Sequence, residues 1–222
     1  MSRNNKLHYK KKEFYRRNLP HYQNSGGLFF VTYNVKSALK ISEIKFLNDW
    51  FDKRIELLPF EKKIKYSDEL DEEYRRYFGK YDKMLHTGKR NCWLKNTECA
   101  KIVADSLHFW DNIRIELYAY CVMPNHVHTV FKVFEKDENG KKLYLQDITE
   151  SVKKFSAREC NKILGRKGQF WQNESYDRLV RSQDELFRII AYILDNPVKA
   201  GLCKNRKDWE FSYIKEAYNE FI

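Results

Sequence analysis

The sequence predicts an α+β fold of the ferredoxin-like, RRM-like kind: a split βαβ antiparallel sheet followed by one further helix. Two observations carry that expectation. Strand-like and helix-like segments follow one another in the order β, α, β, β, α, β, and a helix closes the series. Two runs rich in β-formers, "RIELYAYCVM" and "HVHTVFKVF", stand back to back around a short Met-Pro-Asn turn in which Pro124 and Asn125 are the breakers. With 222 residues, 42% of them hydrophobic and 16% aromatic, the chain has the material for one substantial core.

Taken in order, the first 26 residues are basic and aromatic, and "GGLFFVTYNV", Gly26 to Val35, makes the first strand. A long charged segment follows, from about residue 38 to 95, with patches of helical periodicity and a break at Pro59. It reads as a mostly helical insertion between core elements. "TECAKIVADSLHFWDN" is an amphipathic helix with Thr97 as its N-cap and Ile102, Val103, Leu107 and Trp110 on its buried side. After the two strands and a "DENGKK" loop, "LQDITESVKKFSARECNKIL" forms a second amphipathic helix, with Ile148, Val152, Phe155 and Ile163 on one side. Gly165 and Gly168 end it, and "GQFWQNESYDRLVR" is the next strand. The third helix, "SQDELFRIIAYILDN", opens with Ser182 and Glu185 in capping-box spacing and is expected to stop at Asn196-Pro197. Residues 1–222 thus form one domain.

Lys plus Arg number 42 against 31 Asp plus Glu, a net charge of +11, which suits a polyanion such as nucleic acid. Five cysteines, scattered and without a CxxC pair, argue against a disulfide framework and a zinc ribbon. The start "MSRNNKLHYKKKEFYRR" lacks the apolar core of a signal peptide, and no window approaches the roughly 18 apolar residues of a membrane helix. A soluble, cytosolic protein without a membrane partner is expected.

His126 and His128 are one residue apart on a strand, so they project to one face while Val127 turns to the other. Two such imidazoles can bind one divalent cation, which needs further ligands and open positions for substrate oxygens. A hairpin cap and a half-exposed edge histidine are the structural alternative. A histidine-triad hydrolase would need a third alternating histidine where Val130 stands, and a two-histidine phosphoesterase would need two separate His-x-Thr units, which are absent. No Gly-x-Ser-x-Gly elbow, phosphate-cradling glycine loop or acidic metal cluster is apparent. Tyr192 and Asn196 are four apart, hence neighbours on one helix face. A metal-assisted phenol can attack a phosphodiester, and an amide oxygen can complete a metal site. Tyr192 is also one of 15 tyrosines, and its neighbours Ile190 and Ile193 suit a core position equally well.

The stretch "YCVMPNHVHTVF" resembles the His-hydrophobic-His (HUH) motif of the REP-associated tyrosine transposases, relatives of the single-tyrosine insertion-sequence transposases. "RRNLPHYQNSGGLFFVTYNV", "GQFWQNESYDRLVRSQDEL" and "YILDNPVKAGL" resemble the same family in the same order, leaving out about 38–95, which looks longer than is usual there. The resemblance implies that His126 and His128 are metal ligands, that Tyr192 is the nucleophile and that Asn196 is a third ligand, where some relatives use Gln. Tyr176 in "ESYDR" is the competing nucleophile and is read as structural.

The implied activity is Mg²⁺- or Mn²⁺-dependent cleavage and joining of single-stranded DNA next to hairpins resembling repeated extragenic palindromes. It would proceed through a 5′-phosphotyrosine in the bacterial cytosol or nucleoid. Candidate phosphate contacts are Lys10, Lys11, Lys12, Arg16 and Arg17 in the segment 1–25, the stretch "KSALK", and Arg166 and Lys167 in "GRKGQ". Tyr9, Phe14, Tyr15 and Tyr22 could stack on unpaired bases. Homodimer and monomer are both compatible with the chain. Two other readings stay open: a non-catalytic ferredoxin-like nucleic-acid-binding module, and a replication initiator or relaxase nickase.

Overall fold

The computed structural model describes residues 14–16, 20–22, 24–62 and 67–221, with only the backbone for 14–16, 20–22 and 221. Strands β1 (Phe14–Arg16) and β2 (Pro20–Tyr22) form a small antiparallel pair, and β2 runs beside β6. The main sheet holds β3 (Leu28–Asn34), β4 (Ile115–Val122), β5 (His126–Val133), β6 (Tyr176–Leu179) and β7 (Ser212–Ile214). Their spatial order is β6-β3-β5-β4-β7 with every neighbouring pair antiparallel. The first four of these strands reproduce the expected split βαβ arrangement, and β7, which the sequence does not announce, extends it along β4.

The helices are α1 (Ile41–Leu57), α2 (Asp68–Thr87), α3 (Thr97–His108), α4 (Leu145–Ile163) and α5 (Gln183–Lys199). They divide between the faces of the sheet because the strands are apolar on both sides. Phe29, Val31 and Tyr33 of β3 and Val127 and Phe131 of β5 pack with Val103 and Leu107 of α3 and Ile148 and Val152 of α4. Phe30 and Val130 turn the other way, to Leu47 and Phe51 of α1, Tyr77 of α2, and Ile189, Ile190 and Ile193 of α5. A register shift between Leu117 and Ala119 reverses the parity of β4, so that Leu117 faces the first layer and Ala119 and Cys121 the second.

Several local expectations are corrected. The cap of α3 is Asn96, whose side chain accepts from Cys99 N at 3.0 Å, one residue before Thr97. Along α4 the buried stripe runs Ile148, Val152, Ser156, Cys160, leaving Phe155 45% and Ile163 38% exposed. Ser156 is buried because its hydroxyl accepts from Trp171 Nε1 at 3.0 Å. The strand expected over "GQFWQNESYDRLVR" is regular only at Tyr176–Leu179, with Trp171 bridging Val35 separately. Helix α5 does not stop at Asn196-Pro197 but runs on to Lys199. Proline removes one hydrogen bond, to Ile193 O, in the penultimate turn; the helix ends where Gly201, at φ +68°, supplies the left-handed residue.

Candidate active site

The α2–α5 face of β5 carries the histidine pair. His126 and His128 are 1% and 0% exposed, and their Nε2 atoms are 3.0 Å apart. The other ring nitrogens are engaged. Asn125 donates through Nδ2 to Leu85 O (3.1 Å) and Gly88 O (3.2 Å) at the end of α2, which leaves its Oδ1 to accept from His126 Nδ1 at 2.6 Å. His126 Nδ1 therefore holds the proton and Nε2 presents a lone pair. His128 Nδ1 lies 2.7 Å from the Thr32 hydroxyl, which can donate or accept and so supports either tautomer of that ring. Burial pushes His126 well below the ordinary imidazole range, consistent with a neutral ligand.

Helix α2 brings two groups that sequence reasoning missed, Asp82 and His86. Asp82 Oδ1 is 3.1 Å from His128 Nε2, and Oδ2 is 3.4 Å from His86 Nδ1. One donor atom from each of Asp82, His86, His126 and His128 lies within 4.8 Å of all the others. Burial works to raise the Asp82 carboxyl, but the surrounding imidazoles, His128 foremost, outweigh it and hold it below the usual carboxylate range. Burial lowers His86. The available signal was the four-residue spacing of Asp82 and His86 on one helix face. The many other charges of α2 hide that spacing, and it gains meaning only when the helix docks across the sheet.

From α5, Tyr192 and Asn196 face this cluster from within the same chain. Tyr192 Oη donates to Asp82 Oδ2 at 2.5 Å, and its ring stands 5.5 Å from that of His128. Burial and the Asp82 charge push the phenol far above its ordinary range, so the resting hydroxyl keeps its proton. Asn196 Nδ2 donates to Tyr192 O at 2.7 Å. Its Oδ1 is buried without a hydrogen bond, as is His86 Nε2. It is near enough to His86 to act on that ring electrostatically without being in hydrogen-bonding geometry. Two buried donor atoms without a hydrogen bond, His86 Nε2 and Asn196 Oδ1, lie beside two converging imidazoles and a carboxylate paired with one of them, a set that fits a divalent cation.

Tyr176 is not part of this group. Phe30 and Phe78 stand between it and His128, and its ring stacks on Phe78 at 4.2 Å. Arg166 rests its guanidinium 3.4 Å from the Trp93 ring centroid and donates to Asn161 Oδ1, while Lys167 is exposed. Within "KSALK", Ala38 and Leu39 are core residues. Tyr9, Lys10, Lys11, Lys12 and Arg17 lie outside the described residues, as do the side chains of Phe14, Tyr15, Arg16 and Tyr22. Among the described residues no helix is long and apolar enough to cross a membrane.

Comparison with known proteins gives the chain a family. The family model of IS200-like transposases matches residues 76–196, from the middle of α2 through the pair on β5 to Asn196. An Escherichia coli REP-associated tyrosine transposase is 26% identical over 63% of this chain and 81% of its own length. A Haemophilus influenzae protein provisionally described as a REP-associated tyrosine transposase is 28% identical over 44% of this chain, and the match spans 57% of that relative. The solved structure of a REP-associated tyrosine transposase bound to a REP hairpin superposes with a TM-score of 0.52 at 18% identity, covering 89% of this chain and 80% of that one, so the fold is shared. The chain belongs to the IS200-like transposase family, with REP-associated tyrosine transposases as its relatives.

Proposed function

We propose that this chain cuts and rejoins single-stranded DNA beside hairpins, with Tyr192 as nucleophile. One observation carries the reading: Tyr192 Oη and His128 Nε2 meet on the two oxygens of one carboxylate, Asp82. A nucleophile and a candidate cation ligand are thereby held together by a single buried group. His126 and His128 would hold Mg²⁺ or Mn²⁺, with Asn196, Asp82 and His86 as the further donors. Such a cation supplies neutralisation of the charge on the scissile phosphate.

The chain's own groups account for the rest. Tyr192 Oη forms the new bond to phosphorus as the bond to the 3′-oxygen breaks. Asp82 Oδ2, which already accepts the phenol's hydrogen bond, takes its proton, and the departing 3′-oxygen takes one from solvent. The 5′-phosphate stays on the tyrosine, and attack by a 3′-hydroxyl reverses the sequence without an external energy source. The hairpin preference is supported by the structural relative, solved with a REP hairpin. The basic segment 1–25 is the proposed backbone contact, and the setting is the bacterial cytosol or nucleoid.

The test mixes the protein with hairpin-bearing single-stranded DNA and Mg²⁺ and looks for a protein–DNA adduct that survives denaturation. The adduct is expected with wild type and absent with Tyr192→Phe or after chelation. A non-catalytic binding module would give no adduct at all, and an adduct lost with Tyr176→Phe but kept with Tyr192→Phe would transfer the role to Tyr176.

A further inference from the structure

On the side of Tyr192 away from the histidines, a cleft of about 250 Å³ opens between α2, β6 and α5. Its floor is aromatic and aliphatic, built from Phe30, Phe78, Tyr176 and Ile189. Phe78 and Tyr176 lie 25° from parallel, and Phe30 stands edge-on to Tyr192 at 5.9 Å. The rim carries Arg75, Arg178 and Arg188. The rim's carboxylate, Glu185, is engaged on both oxygens, one by the Arg178 guanidinium and the other by the Arg181 backbone N–H. Arg75 and Arg188 are exposed and form no ion pair with a described residue.

The placement follows from helix spacing. Arg75, Phe78 and Asp82 are at i, i+3 and i+7 on α2, and Arg188 and Tyr192 at i and i+4 on α5. One stripe on each helix therefore leads from the cleft to the candidate centre. An aromatic floor beneath uncompensated guanidinium groups is the chemistry of a nucleotide seat, with base on rings and phosphate on arginine. The volume is below the roughly 300–1,000 Å³ of drug-sized pockets, which suits a single base. A duplex keeps its bases paired and stacked, so only an unpaired strand can present one here.

We infer that this cleft seats the nucleotide next to the scissile phosphate of a single-stranded DNA substrate, with its base against Phe78 and Tyr176 and its phosphates on Arg75 and Arg188. The inference rests on Tyr192 being the nucleophile, since that residue is what puts the cleft beside the cut.

The test is photo-crosslinking of full-length Tyr192→Phe protein, without added metal so that no strand is cut. The probe is a short oligothymidylate bearing one 5-iododeoxyuridine at each position in turn. Cross-links are expected on peptides containing Phe78 or Tyr176. Arg75→Ala/Arg188→Ala should reduce them roughly tenfold or more, because phosphate contacts hold the base in place. Both arginines are exposed, so the thermal midpoint of that variant is expected to stay at the parent value. Cross-links confined to other surfaces, or cleft cross-links indifferent to the double substitution, overturn the inference. Adduct formation by the wild type is scored separately on hairpin DNA. An adduct without cleft cross-links removes only the nucleotide seat, whereas cleft cross-links without an adduct keep the seat for an unpaired nucleotide but remove the strand-transfer reading and, with it, the seat's place beside a cut.

Discussion

Strand β5 offers Val127, Phe131 and Val133 to α3 and α4, and His126, His128 and Val130 to α2 and α5, and the two surfaces are finished differently. Toward α3 and α4 the burial is almost wholly apolar, and the polar atoms that enter it are matched: Trp171 Nε1 to Ser156, and Ser156 in turn to Val152 O. Tyr33 Oη and Arg114 Nε, whose guanidinium lies over the Trp110 ring, are exceptions on that side. Toward α2 and α5, His86 Nε2 and Asn196 Oδ1 are buried together without hydrogen bonds, and Asp82 Oδ1 has only the His128 ring beside it. Each unsatisfied buried polar atom costs about 1–3 kcal/mol. A fold that gathers such atoms beside a carboxylate and two converging imidazoles gives up stability there, which is the pattern expected of a functional site. One face holds the sheet together and the other holds the candidate site.

Substitutions on the two faces should therefore separate function from stability. The largest effect is expected from Tyr192→Phe, which removes the proposed attacking oxygen and should lower adduct formation on the order of 10³-fold or more, with the thermal midpoint falling only by the few degrees that loss of its hydrogen bond to Asp82 implies. Phe131→Ala, on the α3 and α4 side, should cost about 3–5 kcal/mol of unfolding free energy while the fraction still folded binds Mn²⁺ as before. Denaturant titration and Mn²⁺ electron spin resonance read the two outcomes. Asp82→Asn should weaken Mn²⁺ binding by about 10–100-fold, because it replaces a charged donor with a neutral one beside the two imidazoles. If Asp82→Asn binds Mn²⁺ like wild type while Phe131→Ala does not, the assignment of roles to the two faces is reversed.

The sequence announced one half of the site more clearly than the other. His126 and His128 declare their common face by strand alternation, and Tyr192 and Asn196 by helix spacing, because each pair is local. Asp82 and His86 have the same kind of local spacing, but their meaning depends on α2 docking across the sheet. No periodicity reports such docking. Thr32 and Asn125 act through one hydrogen bond each to a ring, and nothing in a strand residue or a turn residue advertises that. The order of the four central strands was legible because each is long or bounded by breakers. Strand β7 has three residues and exists only because β4 offers it an edge. Pro197 was read as a stop because proline forbids its own hydrogen bond, yet it leaves the rest of the last turn free to form.

The pH dependence of stability makes the finest distinction between the faces, and its sign follows from the buried imidazoles. Burial holds His126 well below, and His86 below, the ordinary value of about 6.5 that each would have unfolded. Below that pH the unfolded chain binds more protons than the folded one, so stability falls as the solution is acidified from about pH 7 to 5. The loss is up to about 1.4 kcal/mol per pH unit for each group. Asp82, held low, contributes stability that is lost only at pH values below the ordinary carboxylate range, so it is silent in this window. On the other face, burial raises the thiols of Cys99 and Cys160, which titrate only in alkali. Phe131→Ala should therefore lower the whole curve of stability against pH without changing its slope between pH 5 and 7, whereas His126→Asn should flatten the slope. Bound Mn²⁺ should steepen it, because a metal competes with protons for the same ring nitrogens. Thermal melts across that pH range, with and without Mn²⁺, check all three outcomes. A slope indifferent to His126→Asn would mean that this imidazole is not the neutral group the site requires.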